Sequence, residues 1–490
     1  MKEFKSAYVL RYSLLLYFLI PYFIFLSYFK FSFGLDYGEL FWAFRNSLNQ
    51  ATLTAFIAVA LSIPVSQGLF LLPEKTQRWV SRLLIIPQIF PALYSILIGF
   101  SILNPFPMGT KGVVFLFVLI NLGFASLMTY AATQSRLGKL SVLSEVYSLG
   151  RGSFFTRIYF PLLRSDLVVS FFMIFIFCLS SLSVPLIAGG GKGTNLEVLI
   201  YEKIFIEQNW SSAFSLCLFQ SALIFGLSFF VLRNKKKDSE GDFEAGNYLK
   251  SYTGLFLIAV YLFIYLGGYS IGLIKSFDYM EFIYQYAADL MTVTIFTTKA
   301  LIGYLLVNLT LLVLWLLDYL NTRRFNLAIN LISVSTVLVG FTLYLALPLT
   351  RDYDVLKIIF AMSILFFPSL FKLFLQQPIE GLQSQIAVSQ IYGLSKTTII
   401  IEIIFKQLSR QMYLWLSFLI VWFVSEFAVL KSLGVQTQTL GLWTESFLSS
   451  YRLPLSYLMS FYILIYWFLA MLVVYLIIKV AHVSYKKFIY

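Results

Sequence analysis

The chain has 490 residues, of which 59% are hydrophobic and 12% are charged. Soluble domains are about half apolar and about a quarter charged, so the composition excludes a soluble globular enzyme, a disordered chain and a fibrous repeat. It predicts an all-α polytopic membrane protein embedded in the lipid bilayer. The net charge of +13 would suggest nucleic-acid binding in a soluble protein. Here an excess of basic residues on one membrane face explains it, and no nucleic-acid partner is expected.

Cysteine and histidine usage limits the possible chemistry. Cys178 and Cys217 both lie in apolar runs, and His482 is the only histidine. This usage argues against a disulfide framework and a cysteine-rich metal site. The motifs HExxH and GxSxG are absent, so no catalytic constellation is recognised. We therefore expect a protein without cofactor, metal ion or catalytic residues of its own.

Twelve apolar runs are long enough to cross a bilayer as helices, which takes about 20 residues. Runs such as residues 14–26 do not alternate between apolar and polar residues, which excludes an outer-membrane barrel. The first run is long and lacks a small-residue cleavage site, so we interpret it as an uncleaved span. The predicted spans are 8–29, 46–72, 82–103, 112–134, 166–188, 211–232, 251–274, 290–317, 326–347, 355–376, 412–432 and 456–480.

The distribution of lysine and arginine predicts the orientation of these spans. With a cytoplasmic N-terminus, 24 of the 36 basic residues fall in inside segments and ten in outside segments. Cytoplasmic loops of membrane proteins carry such an excess. Both termini are therefore predicted to be cytoplasmic, with the chain as a multi-pass protein of the inner membrane.

The polar segment 233–250 divides the chain into two parts of similar length, 1–232 and 251–490. Each part carries six predicted spans, so both enter the membrane from the same side. Parallel repeats of this kind occur in transporters and are related by an axis along the membrane normal. The segment also has the composition of an ordinary basic loop, which is the simpler alternative.

Each half has one predicted cytoplasmic loop that is too long for a simple turn. We name residues 135–165 loop A and residues 377–411 loop B; both lie between the fourth and fifth spans of their half. Long loops in compact domains are usually functional, and each contains a glycine followed by an amphipathic stretch. Such a stretch either docks into a groove on a soluble partner or lies on the membrane surface.

The two loops resemble the coupling loops of permeases from ATP-binding-cassette (ABC) importers. In that family an EAA triplet precedes a glycine and an apolar-x-apolar-Pro ending. The matching residues of loop A are Glu145, Gly150, Ile158, Phe160 and Pro161, and those of loop B are Ala387, Gly393, Ile403 and Phe405. Loop A has EVY in place of EAA and a glycine-to-proline spacing about two residues shorter than usual. In loop B, Ala387 replaces the glutamate and Lys406 replaces the proline. The resemblance implies that these residues couple the chain to an ATPase, with Gly150 and Gly393 starting the coupling helices where a side chain would clash.

The sequences after the loops narrow the resemblance. SLSVPLIAGGGKGTNLEVLIYEKIF (181–205) and SEFAVLKSLGVQTQTLGLWTESFLSSYR (425–452) resemble the fused two-half permeases of thiamine importers and their iron(III)-importer relatives, and are closer to the thiamine branch. This implies a permease subunit that receives its solute from a periplasmic or extracellular binding protein and is driven by a cytoplasmic ABC ATPase dimer. The alternatives are an iron(III) importer permease and a stand-alone secondary transporter or flippase.

The segment GGGKGT (189–194) has the appearance of a phosphate-binding loop but does not fit its pattern. That pattern requires GxxxxGK followed by serine or threonine, whereas Leu186 takes the first glycine position and Gly193 follows the lysine. The segment is also predicted to lie outside the cell. The ATPase is therefore expected to be a separate subunit.

Two residues are candidates for the wall of a solute path between the halves, Ser183 and Glu426. Glu426 lies in a predicted span, and charged residues inside membranes are functional hypotheses by default. The resembling family tends to carry an acidic residue at this position, and an anionic wall suits a cation such as thiamine or a ferric ion. The alternative is a structural pair between Glu426 and a basic neighbour.

Overall fold

A computed structural model describes residues 2–27, 36–233, 246–323, 325, 336–347 and 350–489. Regular secondary structure in these residues is helical throughout, which confirms the predicted all-α class. The α-helices are α1 Lys2–Ser27, α2 Tyr37–Leu69, α3 Glu74–Ile89, α4 Ala92–Ile102, α5 Thr110–Val146, α6 Arg151–Phe154, α7 Phe160–Leu179, α8 Ser183–Ala188, α9 Leu196–Phe205, α10 Trp210–Arg233, α11 Tyr252–Leu262, α12 Gly268–Ser276, α13 Met280–Gln285, α14 Ala287–Thr322, α15 Thr336–Ala346, α16 Arg351–Phe371, α17 Gln377–Gly381, α18 Gln383–Ile391, α19 Lys396–Thr398, α20 Ser409–Ser425, α21 Ala428–Ser432, α22 Leu440–Ser449 and α23 Leu453–Ile489.

The described helices account for most of the predicted spans. Nine are long and apolar enough to cross a membrane, and two bent pairs raise the number to 11. One pair, α3 and α4, bends by 93°; the other bends by 85° between the helical end of loop B and α20. Eleven of the twelve predicted spans correspond to one of these. The exception is the run 326–347, where 326–335 lie outside the described residues and α15 has only 11 residues.

The chain forms two compact units whose limits differ from the predicted halves. Unit A comprises described residues between 31 and 277, and unit B comprises those of 1–30 and 278–490. Each unit thus contains the first span of the other predicted half: α1 belongs to unit B, and α11 with α12 belongs to unit A. The division of the sequence into two repeated halves stays a prediction.

Close glycine contacts hold α11 inside unit A. A Cβ atom added to Gly68 of α2 would overlap the backbone of Gly254 in α11, and one added to Gly254 would overlap the carbonyl of Pro64. Small residues allow membrane helices to approach closely, which increases their van der Waals contact. This contact explains why a helix from the second half of the sequence packs with the first.

Aromatic packing holds α1 inside unit B. The ring of Phe18 lies 5.6 Å from that of Trp315 in α14 and 6.0 Å from that of Phe367 in α16. All three side chains are fully buried. Aromatic pairs at such distances stabilise beyond their buried area, so these rings fix α1 against α14 and α16.

Candidate functional site

Loop A and loop B make the same tight turn within their own units. In loop A, α5 ends at Val146 and Ser148 adopts a φ of 52°. In loop B, α18 ends at Ile391 and Gly393 adopts a φ of 73°. Ser148 and Gly393 lie 245 residues apart, and both have the left-handed backbone conformation that favours glycine. The shared feature is therefore the turn, and only loop B has a glycine at it.

Gly150 is not the counterpart of Gly393. It precedes α6 with an extended backbone, and Ser395 holds the same place before α19. The prediction that a side chain would clash is wrong at Gly150, where the backbone is extended and an added Cβ meets no atom within 4 Å. At Gly393 the surrounding space is also open, but the left-handed backbone itself disfavours a side chain. With Ser148 as the turn residue, the spacing from Ser148 to Pro161 equals that from Gly393 to Lys406. The apparent two-residue shortening of loop A thus disappears.

After the turn, both loops bury the same face and pass through a π-helical segment. These segments are Phe155–Tyr159 in loop A and Ile399–Phe405 in loop B. In loop A the segment leads directly into α7, whose second residue is Pro161. The buried side chains that correspond at a spacing of 245 are Phe154 and Ile399, Tyr159 and Ile404, and Leu163 and Leu408.

The residues just before each turn are apolar and exposed. In loop A the exposed fractions are 72% for Val146 and 77% for Tyr147, and in loop B they are 81% for both Ile391 and Tyr392. We name Val146–Tyr147 and Ile391–Tyr392 the loop tips. Exposed apolar side chains at such a turn are available for contact with a partner protein or with the membrane surface. Each unit therefore presents one apolar tip of matching composition.

Glu145 and Ala387, predicted to match each other, occupy different positions relative to the turns. By the turn register, Gln390 corresponds to Glu145. The Glu145 carboxylate accepts a hydrogen bond of 2.8 Å from the backbone N–H of Tyr248. Ala387 is half-buried in α18 and lines a cleft of about 310 Å³. The two residues therefore have different surroundings.

Ser183 and Glu426 both lie at the break that follows a long helix. Ser183 is the first residue of α8, and Glu426 directly follows α20. The Glu426 Oε1 atom accepts hydrogen bonds from the N–H groups of Ala428, at 2.8 Å, and Val429, at 3.1 Å. A carboxylate at this position caps α21 and interacts favourably with its N-terminal dipole. The ion pairs found in the described part of the chain do not include Glu426, so its structural role there is capping.

The second helix after each break, α9 or α22, is fixed to a long helix by a side-chain hydroxyl group, which sequence reasoning missed. Ser47 of α2 accepts a hydrogen bond of 2.8 Å from the N–H of Leu196, the first residue of α9. Thr297 of α14 accepts one of 3.2 Å from the N–H of Leu440, the first residue of α22. These N–H groups are among those that a helix start leaves unsatisfied. Asn195 and Thr439, the N-cap residues of α9 and α22, could have indicated from the sequence where these two helices start.

Amide side chains of α2 hold the segment GGGKGT. Gln50 donates to the carbonyl of Gly193 at 2.8 Å, and Asn46 donates to the carbonyl of Thr194 at 3.2 Å. The segment thus presents carbonyl groups to its neighbours, whereas a phosphate-binding loop surrounds its ligand with N–H groups. Its structural role is to join α8 to α9.

A buried charged pair in unit B was also missed by sequence reasoning. Asp354 and Lys357 of α16 are fully buried, with 4.0 Å between Oδ1 and Nζ. The other carboxylate oxygen of Asp354 accepts hydrogen bonds from the backbone N–H groups of Gln436 and Thr437. Removing one member of such a pair leaves an uncompensated buried charge. Asp354 therefore anchors the segment between α21 and α22 to α16.

Unit A contains a cluster of ion pairs around Lys203. The Nζ atom of Lys203 donates to Glu39 at 2.5 Å and to Glu207 at 2.8 Å, and the Lys203 side chain is only 9% exposed. Burial acts to lower the pKa of Lys203, but the hydrogen bonds to Glu207 and Glu39 outweigh burial and raise it. Burial, together with the neighbouring carboxylates, raises the pKa of Glu202. In the described residues, no group of three or more His, Cys, Asp or Glu side chains is placed to hold a metal ion.

The chain is similar to permeases of thiamine transport systems. It is 26% identical to the thiamine transport system permease protein of Haemophilus influenzae over 207 residues, 39% of this chain and 38% of that protein. The corresponding proteins of Brucella abortus and Escherichia coli are 26% and 25% identical, each with 40% of its length covered. The chain thus matches about two-fifths of the length of these curated relatives. No protein-family model matches the chain. The similarity confirms the predicted resemblance to thiamine-importer permeases, and with the apolar helices it supports a multi-pass membrane permease.

Proposed function

We propose that this protein is the transmembrane permease subunit of an ATP-driven importer that moves thiamine across the inner membrane. The observation that carries the proposal is the pair of loops with the same turn, the same buried face and the same apolar tip at a spacing of 245 residues. Two matched apolar surfaces suit a partner that offers two equivalent binding sites, as an ATPase dimer does. The similarity to thiamine permeases supports the choice of solute.

The loop tips are the proposed docking points for a cytoplasmic ATPase dimer. Each tip offers one branched aliphatic side chain and one tyrosine, and aromatic side chains of this kind dominate binding energy when they enter a pocket. Two tips match two ATPase subunits. The excess of lysine and arginine in the predicted inside segments supports a cytoplasmic position for both loops and both termini.

The proposed solute path passes the helix breaks that contain Ser183 and Glu426. Both hydrogen bonds that Glu426 accepts from α21 use Oε1, so Oε2 is the oxygen we assign to a cationic solute. Broken helices line solute pathways in many transporters because their ends expose backbone groups. A periplasmic or extracellular binding protein delivers the solute, and the separate ATPase supplies the energy, so the chain itself catalyses no reaction.

Uptake of labelled thiamine into proteoliposomes tests this function. The vesicles contain the full chain with the importer's ATPase, and the binding protein is added outside. The proposal predicts uptake that requires ATP, the ATPase and the binding protein together. Thiamine uptake without ATPase would favour a secondary transporter, and uptake of iron(III) in place of thiamine would favour the iron branch.

A further inference from the structure

The segment Gly246–Lys250 lies directly on loop A. The N–H of Gly246 donates to the hydroxyl of Ser141 at 3.0 Å, and the N–H of Tyr248 donates to Oε1 of Glu145 at 2.8 Å. The hydroxyl of Tyr248 donates to the carbonyl of Leu149 at 2.5 Å. These bonds join the segment to both sides of the turn of loop A. A bond to a carboxylate is stronger than one between neutral groups.

Buried side chains reinforce this attachment. Leu249 is fully buried in a cluster that also contains Phe154 and Tyr159 of loop A. The ring of Tyr248 lies 5.5 Å from that of Phe154. A Cβ atom on Gly246 would come within 2.8 Å of Glu145 Oε1 and 2.9 Å of the backbone of Ser141. The segment therefore fits against loop A with glycine at this position and with little room for a larger residue.

Loop B is held differently in the described part of unit B. At the position that corresponds to Glu145, Gln390 donates to the carbonyl of Leu320 at 3.1 Å and accepts from Arg323 at 3.3 Å. The surface beside it is an open cleft of about 310 Å³. The residues that line this cleft are Tyr319, Leu320, Arg323, Gln383, Ser384, Ile386, Ala387 and Gln390. Ser384, Ile386 and Ala387 are on α18, which ends at the tip of loop B, just as α5 ends at the tip of loop A.

We propose that Gly246–Lys250 is a clamp that positions loop A for its ATPase subunit, and that Glu145 is a positioning residue serving the clamp. This inference rests on the proposed function. The clamp makes the two loops unequal: residues 246–250 hold loop A, whereas loop B lies beside an open cleft. A change in residues 246–250 thus acts on the tip of loop A through Glu145 and Tyr248.

Hydrogen exchange in the full chain, in detergent and without the ATPase, tests the clamp independently of transport. Gly246→Ala and Glu145→Ala should each accelerate exchange at the amides of residues 246–250 by about tenfold or more, because they displace or remove the carboxylate bond. Gly226→Ala is the matched control, since an added Cβ there meets no atom within 4 Å. Unchanged exchange in both clamp variants would overturn the clamp.

The assembled transporter tests the role of Glu145. Glu145→Ala should reduce the stimulation of ATP hydrolysis by solute-loaded binding protein, and Glu145→Gln should retain most of it, because the amide oxygen still accepts from Tyr248. Equal loss with alanine and glutamine would show that the charge itself contacts the ATPase, which would overturn the positioning role. Faster amide exchange in Glu145→Ala, combined with unchanged stimulation of ATP hydrolysis, would also overturn the positioning role. A third outcome concerns the unmodified protein. If its amides at residues 246–250 are protected from exchange but loaded binding protein does not stimulate ATP hydrolysis, the proposed function fails while the clamp stands.

Discussion

Ser148 and Gly393 adopt the same left-handed conformation, with φ of 52° and 73°, at turns that are 245 residues apart. This relationship sets the register of the two loops. It pairs Val146 with Ile391 and Tyr147 with Tyr392 at the loop tips. The register therefore identifies the two exposed surfaces that any common partner would meet.

The turn register predicts that two glycine substitutions differ in their effect on stability. Gly393→Ala should destabilise the folded protein by about 1 kcal/mol, because a left-handed conformation strains residues with a Cβ atom. Gly150→Ala should change stability by less than about 0.5 kcal/mol, since its backbone is extended and the space around it is open. Thermal unfolding in detergent measures both. Equal destabilisation by the two substitutions would contradict the register.

The same reasoning predicts that Ser148→Gly does not destabilise the protein. Glycine relieves a strain of up to about 1 kcal/mol at the left-handed position, although it also increases the entropy of the unfolded chain. The apparent melting temperature should therefore rise slightly or stay constant. A clear decrease would mean that the Ser148 side chain makes a stabilising contact.

Asp354 should be among the least replaceable charged residues of unit B. Asp354→Ala removes the acceptor for two backbone N–H groups and leaves Lys357 buried without its partner. A loss of about 3–5 kcal/mol in unfolding free energy is expected. Asp352→Ala is the matched control, because Asp352 is exposed in the first turn of the same helix. A small effect at Asp354 would mean that the pair is solvated.

The contribution of Lys203 to stability should not change with pH over the physiological range. Because the folded-state pKa of Lys203 is raised, its contribution is fully present below its unfolded pKa of about 10.4 and is lost only as pH rises through the higher folded value. Lys203→Met should cost about 1–3 kcal/mol, equally at pH values of about 6 and about 9. Lys192→Met, at an exposed lysine, is the control. A strong pH dependence within this window would contradict the assignment.

Two substitutions at Glu426 separate its capping role from a role in transport. Glu426→Gln keeps an oxygen for the N–H groups of Ala428 and Val429, so stability should be retained while the KM for thiamine rises. Glu426→Ala removes the cap as well and should cost about 1 kcal/mol of stability. Uptake with an unchanged KM in the glutamine variant would make Glu426 purely structural.

Much of the fold and part of the site follow from the sequence. Apolar length predicted eleven spans that correspond to described membrane helices, and the spacing of Pro161 and Lys406 carried the correct 245-residue register. The pairing of Gly150 with Gly393 failed because glycine was taken as the marker of the turn, whereas Ser148 tolerates the same conformation. The hydrogen bond from the N–H of Tyr248 to Glu145 joins residues 103 positions apart, and no local sequence pattern predicts such a contact. The sequence also did not predict that α1 packs in unit B and α11 in unit A. An apolar span has the same composition whichever helices it packs against.

The most direct test of the central claim is the number of ATPase subunits that the purified chain binds, measured by native mass spectrometry. The unmodified chain should bind two. Tyr147→Asp and Tyr392→Asp together should abolish binding, because each places a charge in an apolar contact, whereas Tyr284→Asp, at an equally exposed tyrosine outside both loops, should not affect it. Two ATPase subunits still bound to the double variant would contradict the assignment of the loop tips.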